Sequence, residues 1–365
     1  MSSETDQPIA TAAAPDGRRI AVLGTGANGA SIAADLVAAG HDVTLIEQWP
    51  AHVEAMRERG LRIEMPDDVL QVGVRAHHLC DVATFTEPFD VVLILVKAYD
   101  AVWATHLIEP HVAPDGLVVG VQNGMTADAI AEVVGMERTL GCVIECSSGM
   151  FDPGVVQRHT PPARSWFAVG ALDAAAAGRE EEIAGLLRHS GTVATFQDIR
   201  SAKWMKLVSN CTTLVTTAIL GLPMLAALQT PGMRELMLRC GQETLDAGLA
   251  LGHQALPIFG LTEAEIADTG ALVETMLDTL YSGFVLPQTT TTILQDWEKG
   301  RHSEVDDLNG LAAAERRRQG VPAPANEAVV EIARRIERHA LQTSPANLAL
   351  LQELAGPTPV GVSGS

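Results

Sequence analysis

Aromatic residues are scarce in this 365-residue chain, at 4%. A chain so poor in the side chains that suit pleated surfaces is not expected to form an all-β sandwich. Charge is sparse too, at 19% of residues, which is too little for a mostly disordered protein. Basic residues are the rarer sign: 25 Lys and Arg stand against 45 Asp and Glu, a net charge of -20. Such a surface repels phosphate backbones and anionic lipids, which excludes nucleic acid and membrane surfaces as expected partners. The five cysteines (Cys80, Cys142, Cys146, Cys211 and Cys240) are odd in number and show no CxxC spacing. They read as reduced, mostly buried thiols, with no zinc site or other metal expected. No apolar run approaches the roughly 20 residues of a membrane helix. The opening MSSETDQPIATAAAPDGRR has no basic start before an apolar stretch, so it does not read as a signal peptide. The expectation is a cytoplasmic protein acting on small molecules.

What the chain does have is 47% hydrophobic residues, enough for substantial cores. At about 150 residues per domain the length suggests two domains. From Arg19 the apolar run IAVLG stops in glycine, GTGANG follows, then the helically spaced ASIAADLVAAG, then the strand-like HDVTLIE. Further buried strands are expected at Asp90–Lys97 and Gly116–Gly124, and in TLGCVIECSSG. This alternation predicts an α/β fold, an N-terminal Rossmann-type parallel sheet followed by an all-helical C-terminal domain. GVVQRHTPPARSWFAVG reads as strands around a Pro-rich turn, and GTVATFQ as a closing strand. From about Arg200 the pattern is helical, broken at Leu222-Pro223, Leu256-Pro257 and Leu286-Pro287. The expected organisation is a disordered tail over 1–17, a dinucleotide-binding Rossmann domain over 18–199 and a helical catalytic domain over 200–345. A flexible C-terminal tail is expected over 346–365, Gly/Ser/Pro-rich from about Gly356.

Gly24, Gly26 and Gly29 form G-x-G-x-x-G. The first suits a tight turn after a strand, the second lets backbone approach a pyrophosphate, and the third lets a helix pack close to the strand. The pattern alone is weak, but here a strand precedes it, a helix follows, and Glu47 ends the next strand. The loop Gly24, Thr25, Gly26, Ala27, Asn28 and Gly29 is therefore expected to bind a dinucleotide. A carboxylate at Glu47 accepts ribose hydroxyls and repels a 2′-phosphate, which favours NAD over NADP. The bland alternative is that Glu47 caps the next helix.

Lys206 and Asn210 stand four apart in a helical stretch, so they share a face. A buried ammonium and amide there would be costly without a purpose, whereas a snorkelling Lys would need none. In TTILQDWEKGRHSEVDDLNG, Thr292 and Glu304 lie either side of a break at Lys299-Gly300. Spacing alone reads Ser303 as a cap and Glu304 and Asp306 as a solvated helix start.

Taken in order, GTGANG, VKAYD, QNGM, K-L-x-x-N, T-I-L-Q-D…H-S-E-V-D-x-x-N-G and G-V-P-A-P-A-N resemble the ketopantoate reductase (2-dehydropantoate 2-reductase) family. The resemblance spans about Arg19 to Arg338. It implies that Lys206 is the catalytic general acid and that Glu304 helps hold the substrate and lysine. It further implies that Asn210 contacts the substrate, that Thr292 stands where the family usually has a serine that bonds the substrate carboxylate, that Asn123 lies near both nicotinamide and substrate, and that Lys97 lines the cofactor cleft. Two positions depart from the family pattern. Leu214 stands where many members carry a further amide. Gln48, preceded by Glu47, stands where NADP-dependent members typically carry Arg. These changes imply a less polar pocket and NAD as cofactor. The Pro-rich segment near Thr160–Trp166 is expected to reshape the substrate mouth.

The function expected is hydride transfer between NAD(H) and a 2-oxo/2-hydroxy acid or related ketone/secondary alcohol. Other readings stay open: a 2-dehydropantoate 2-reductase proper using NADPH, a relative with 3-hydroxy acid, opine or imine chemistry, and a non-catalytic dinucleotide-binding redox sensor. The apolar TLVTTAILGLPMLAAL reads as core in preference to a dimer interface, and a homodimer stays open.

Overall fold

The computed structural model describes residues 17–357; all but the last residue of the tail expected over 1–17, and the stretch beyond 357, lie outside the described residues. Alternating apolar runs and glycine stops become β1 (Arg19–Leu23), α1 (Ala27–Ala38), β2 (Asp42–Glu47) and α2 (Pro50–Arg59). A hairpin of β3 (Leu61–Glu64) and β4 (Val69–Val72) leads to β5 (Arg75–His78). Next come β6 (Phe89–Ile94), α3 (Ala101–Ile108), β7 (Val112–Gly120), α4 (Ala127–Val134) and β8 (Thr139–Glu145). β9 (Ser148–Gly149), β10 (Val155–Arg158), β11 (Trp166–Ala171), α5 (Glu180–Leu187) and β12 (Thr192–Thr195) complete this half. The main sheet has the order β12-β11-β8-β7-β6-β1-β2-β5. Its six strands from β8 to β5 are parallel, and β11 joins β8 antiparallel. The order reverses between β1 and β6, the crevice where doubly wound sheets bind ligands beyond their carboxyl ends.

A second sheet, β4-β3-β10-β9, was not foreseen. Its strands are short, and β10 reaches it from far along the chain to pair with β3. Arg158, at the end of β10, is fully buried and pairs with Asp35 of α1 at 2.5 Å. The same guanidinium donates to the Thr160 carbonyl, the Ser190 carbonyl and the Ser165 hydroxyl, so its charge is satisfied on every side. Burial pushes the Asp35 carboxyl up while Arg158 pulls it down. The pair fastens the small sheet to α1, the helix that opens with the glycine loop.

The C-terminal half is helical: α6 (Ile199–Ala218), α7 (Met224–Leu228), α8 (Met233–Ala250), α9 (Glu263–Ile266) and α10 (Leu272–Gly283). Then follow α11 (Thr292–Glu298), a π-helical turn at Asp306–Gly310, α12 (Leu311–Arg318), α13 (Pro324–Glu337) and α14 (Asn347–Ala355). The three proline breaks fall between helices. No helix among the described residues is long and apolar enough to cross a membrane. The stretch Thr213–Leu228 supplies core: Val215, Ile219, Met224 and Ala227 are buried.

The expected flexible tail over 346–365 is corrected by α14. Its Leu348, Leu351 and Ala355 are buried in the helical core. Two buried leucines contribute about 1.5–3 kcal/mol each, enough to order a short helix against a neighbour.

α6 places the site. Asp198 caps it, accepting the Ser201 N–H at 3.0 Å. Ile199 lies against the sheet where β8 and β11 carry glycines: a Cβ on Gly141 or Gly170 would come within 2.9 or 2.7 Å of its side chain. Nearly every side chain of α6 is buried, as expected of a helix enclosed on all sides. Thr212, Thr213, Thr216 and Thr217 each donate to the carbonyl four residues back, so their hydroxyls need no other partner. The helical core continues without a break into Val143, Trp166 and Ala168 of the sheet.

Candidate active site

Two of the three loop glycines are required by packing. A Cβ on Gly24 would meet Val96 N at 2.6 Å, and one on Gly29 would meet Gly24 O at 2.1 Å. A Cβ on Gly26 would meet nothing within 4 Å, which leaves open space over the N-terminus of α1. That is the cradle a pyrophosphate needs, with free N–H groups and the positive end of the helix dipole facing it. The residues present therefore fit a dinucleotide. The cleft above the loop is lined by Gly26, Ala27, Asn28 and Gly29 on one side and by Asp296, Lys299, Arg301 and Glu304 on the other.

Glu47 is buried at the end of β2. One carboxylate oxygen accepts the Gln48 and Trp49 N–H groups at 2.9 and 3.0 Å. The other accepts the Thr25 hydroxyl at 3.1 Å. It thus holds the Gln48–Trp49 turn that precedes α2 but does not cap that helix, contrary to the bland reading, and it stands beside the glycine loop. His52 buttresses the same corner. It contacts the Thr25 carbonyl at 3.0 Å and accepts the Gly154 N–H at 2.9 Å, and burial lowers its pKa.

Lys97, after β6, reaches across the cleft to Asp296 at 2.5 Å and Glu304 at 3.5 Å. Burial works against its charge, but the two carboxylates together hold it protonated. Glu304 is buried and accepts the Ala98 N–H at 2.9 Å. Glu304 is therefore not part of the solvated helix start read from its spacing, whereas Asp306, read with it, is exposed at the start of the π-helical turn. Nor does Glu304 contact Lys206: it belongs to the Lys97 cluster, because the turn at Lys299–Arg301 carries it over the carboxyl end of β6.

Further into the cleft, α6 presents one stripe to the carboxyl ends of β7 and β8. Lys203 donates to the carbonyls of Gln122 and Cys142 at 3.1 and 3.0 Å, and burial lowers its pKa to about 8. Lys206 is buried, forms an ion pair with Glu145 at the end of β8, and lies 5.2 Å from the Phe259 ring centre. Asn210 donates to the Asn123 side chain at 3.0 Å. Its own Oδ1 and the Thr292 hydroxyl are buried without partners. Lys206, Asn210, Asn123 and Thr292 line one pocket with Asn28 and Glu145. Its opposite wall is apolar: Leu214, Met224, Leu280, Phe284 and Val285. The pocket and the dinucleotide cleft share Asn28, Asn123, Ser148 and Thr292 as walls.

Reading the sequence missed four contributors. Glu145 lay unremarked inside a predicted strand. Ser148 donates to Asn28 Oδ1 at 2.5 Å. Arg301 lies 5.8 Å over the Trp49 ring and Lys299 lies 4.5 Å over the Phe151 ring, placing two cations from the helical half at the cofactor cleft. The last two stood within a motif already singled out, beside Gly300, whose positive φ of 66° marks the turn. The Pro-rich segment touches the pocket's frame, since Arg164 donates to the Gly283 carbonyl at 2.6 Å, next to Phe284.

Comparison with known proteins adds an independent line. The family model for "Ketopantoate reductase PanE/ApbA" matches residues 20–172, and that for its C-terminal domain matches residues 198–337. A 2-dehydropantoate 2-reductase of Mesorhizobium japonicum is 27% identical over 343 residues, covering 87% of this chain and 97% of that protein. One from Archaeoglobus fulgidus is 24% identical, covering 88% and 98%. Among solved structures, a ketopantoate reductase of Ralstonia eutropha aligns with a TM-score of 0.73 and 27% identity, over 88% of this chain and 99% of that one. D-mandelate dehydrogenase, solved with NADH and anilino(oxo)acetate, aligns with a TM-score of 0.77 and 19% identity, over 88% and 99%; that likeness is one of fold.

Proposed function

Since the chain belongs to the ketopantoate reductase family of NAD(P)-dependent oxidoreductases, we propose that it interconverts a 2-oxo acid or related ketone and the matching alcohol, with NAD(H) preferred. The observation that carries this reading is the buried Lys206 ammonium in a pocket that shares walls with the glycine-loop cleft. A hydride at carbon and a proton at oxygen turn a carbonyl into a secondary alcohol, and the nicotinamide supplies or takes up the hydride when bound.

The chain's own residues do the rest. Gly26 and the N-terminus of α1 hold the pyrophosphate from one side, with Lys299 and Arg301 closing on it from the other. Lys206 Nζ gives its proton to the carbonyl oxygen, and an ammonium in a water-poor pocket stabilises charge developing there. In the oxidative direction the neutral amine takes the hydroxyl proton. Asn123 and Asn210 fix the approach of the substrate, and the Thr292 hydroxyl is free to bond it. Leu214 and Phe284 favour a bulky apolar substituent over a small polar one. Glu47 underlies the cofactor preference, because a buried carboxylate at the ribose end repels a 2′-phosphate.

The test is a panel of 2-oxo acids, ketones and the corresponding alcohols with branched or aromatic substituents, each assayed with both cofactors. Turnover with NADH at least about tenfold more efficient than with NADPH, some 1.4 kcal/mol of preference, is expected. Dinucleotide binding with no turnover anywhere on the panel would favour the redox-sensor reading. A preference for NADPH would remove Glu47 from the account.

A further inference from the structure

We infer that His52 is a positioning residue for the dinucleotide loop. Its neutral imidazole, with the hydrogen on Nε2, ties Thr25 of the loop to the β9–β10 connection and so holds the loop in its binding shape. This rests on the reading of the loop as a dinucleotide site, and it gives the small second sheet a part in that site.

The partners of the ring fix its proton. The Gly154 N–H can only donate, so Nδ1 accepts it, at 2.9 Å. The Thr25 carbonyl can only accept, so Nε2 carries the hydrogen, at 3.0 Å. One neutral tautomer satisfies both. The side chain is fully buried, so loss of either bond leaves a polar group away from water. A second proton, on Nδ1, would set donor against donor at Gly154 and break the tie.

Both ends of the tie sit where they matter. Thr25 stands between Gly24 and Gly26, with its hydroxyl held by Glu47. Gly154 comes directly before β10, and its positive φ of 81° turns the chain there. A Cβ on Gly154 would come within 3.2 Å of Ala55 Cβ, so this connection lies close against α2. A second link runs beside the first: Ser148 of β9 donates to Asn28 Oδ1 at 2.5 Å. The small sheet therefore braces the loop at two points, and the pair of Arg158 and Asp35 fastens it to α1 further along. Burial keeps a second proton off the His52 ring, while the Glu47 carboxylate of β2 pulls the other way. The Trp49 ring lies 5.8 Å from the imidazole, and Arg301 of the helical half lies over that indole. The glycine loop and the β9–β10 connection present backbone groups to the ring. The tie holds at neutral pH and gives way in acid, below the ordinary histidine range.

The test compares NADH binding, read by nicotinamide fluorescence, in the wild type, His52→Gln and His52→Leu from pH 7.5 to pH 5. Glutamine both donates and accepts and does not titrate, whereas leucine does neither. At pH 7.5 His52→Leu is expected to bind NADH at least about tenfold more weakly, and His52→Gln to stay within about threefold of the wild type. In steady-state kinetics the loss in His52→Leu should fall on KM for NADH more than on kcat. Wild-type affinity should drop on acidification while that of His52→Gln stays level. Nitrogen NMR of the cofactor-free protein with labelled histidine should show a neutral ring with its hydrogen on Nε2, whose signals vanish in His52→Gln. A His52 ring that is charged at pH 7.5 or carries its hydrogen on Nδ1, glutamine no better than leucine, or parallel pH profiles would overturn the proposal. NADH bound equally by all three proteins would remove the role of His52 and leave the dinucleotide reading standing. A wild type that binds no dinucleotide would overturn both.

Discussion

The dinucleotide cleft and the substrate pocket share walls, yet they are built from different material. The glycine-loop side of the cleft is made mostly of backbone: a strand end, three glycines and a helix start within a few residues of one another. The pocket is made of side chains from α1, the loop after β7, β8, β9, α6, α7, α10 and α11, brought together across the whole chain. Backbone geometry constrains spacing, so a cradle of that kind leaves a local mark. Convergent side chains constrain only residue type at distant positions, and those types are common.

Three experiments bear on that contrast, from largest to smallest effect. Lys206→Ala should lower kcat/KM by about 10³-fold, within the range for loss of a general acid, while NADH affinity stays within about threefold. Fluorescence titration beside steady-state kinetics reads both quantities. Equal losses in the two would mean that cleft and pocket are not separable.

The second concerns Lys203, one helical turn before Lys206 and turned into the wall of the pocket. Its pKa falls from 10.5 to about 8 on folding. Between those values the unfolded chain holds a proton that the folded chain has released, so stability rises with pH through this window. Below about pH 8 both states are protonated and the full cost of the buried charge is present. Wild type should gain up to about 3 kcal/mol relative to Lys203→Met between pH 8 and 10.5, by urea denaturation at several pH values. Parallel pH profiles for the two proteins would show that the lysine is not buried as described.

The smallest effect is expected at Gly26. Because a Cβ there meets open space, Gly26→Ala should leave thermal stability unchanged and weaken NADH about tenfold. Gly29→Ala supplies the contrast, since its Cβ would collide with backbone at 2.1 Å and should cost stability first. Equal behaviour of the two variants would erase the distinction between packing and ligand glycines.

The same contrast explains what could be read in advance. The α/β order, the glycine loop and Glu47 follow from periodicity and short spacing. Spacing singled out Lys206, Asn210 and Thr292 without deciding what they do; their roles, and Asn123, came only through family resemblance, and the structure brings these four to one pocket. Glu145 escaped because a carboxylate at the end of an apolar strand carries no local sign that a lysine 61 positions later will meet it. The small sheet escaped because β3 and β4 are short, and because β10 pairs with β3 across more than 90 residues. The helix at Asn347–Ala355 was read as tail because a short apolar run after Ser-Pro gives little helical signal of its own; only its packing orders it.

Because α6 rests on the glycines of β8 and β11, and its core runs on into the sheet, the two halves of this polypeptide are not interchangeable parts. Residues 199–357 produced alone would expose the face that Val143, Trp166 and Ala168 normally cover. A gene cut at that junction should therefore give two insoluble products, and exchange of one half with a distant relative should succeed only when the matching glycines travel with it.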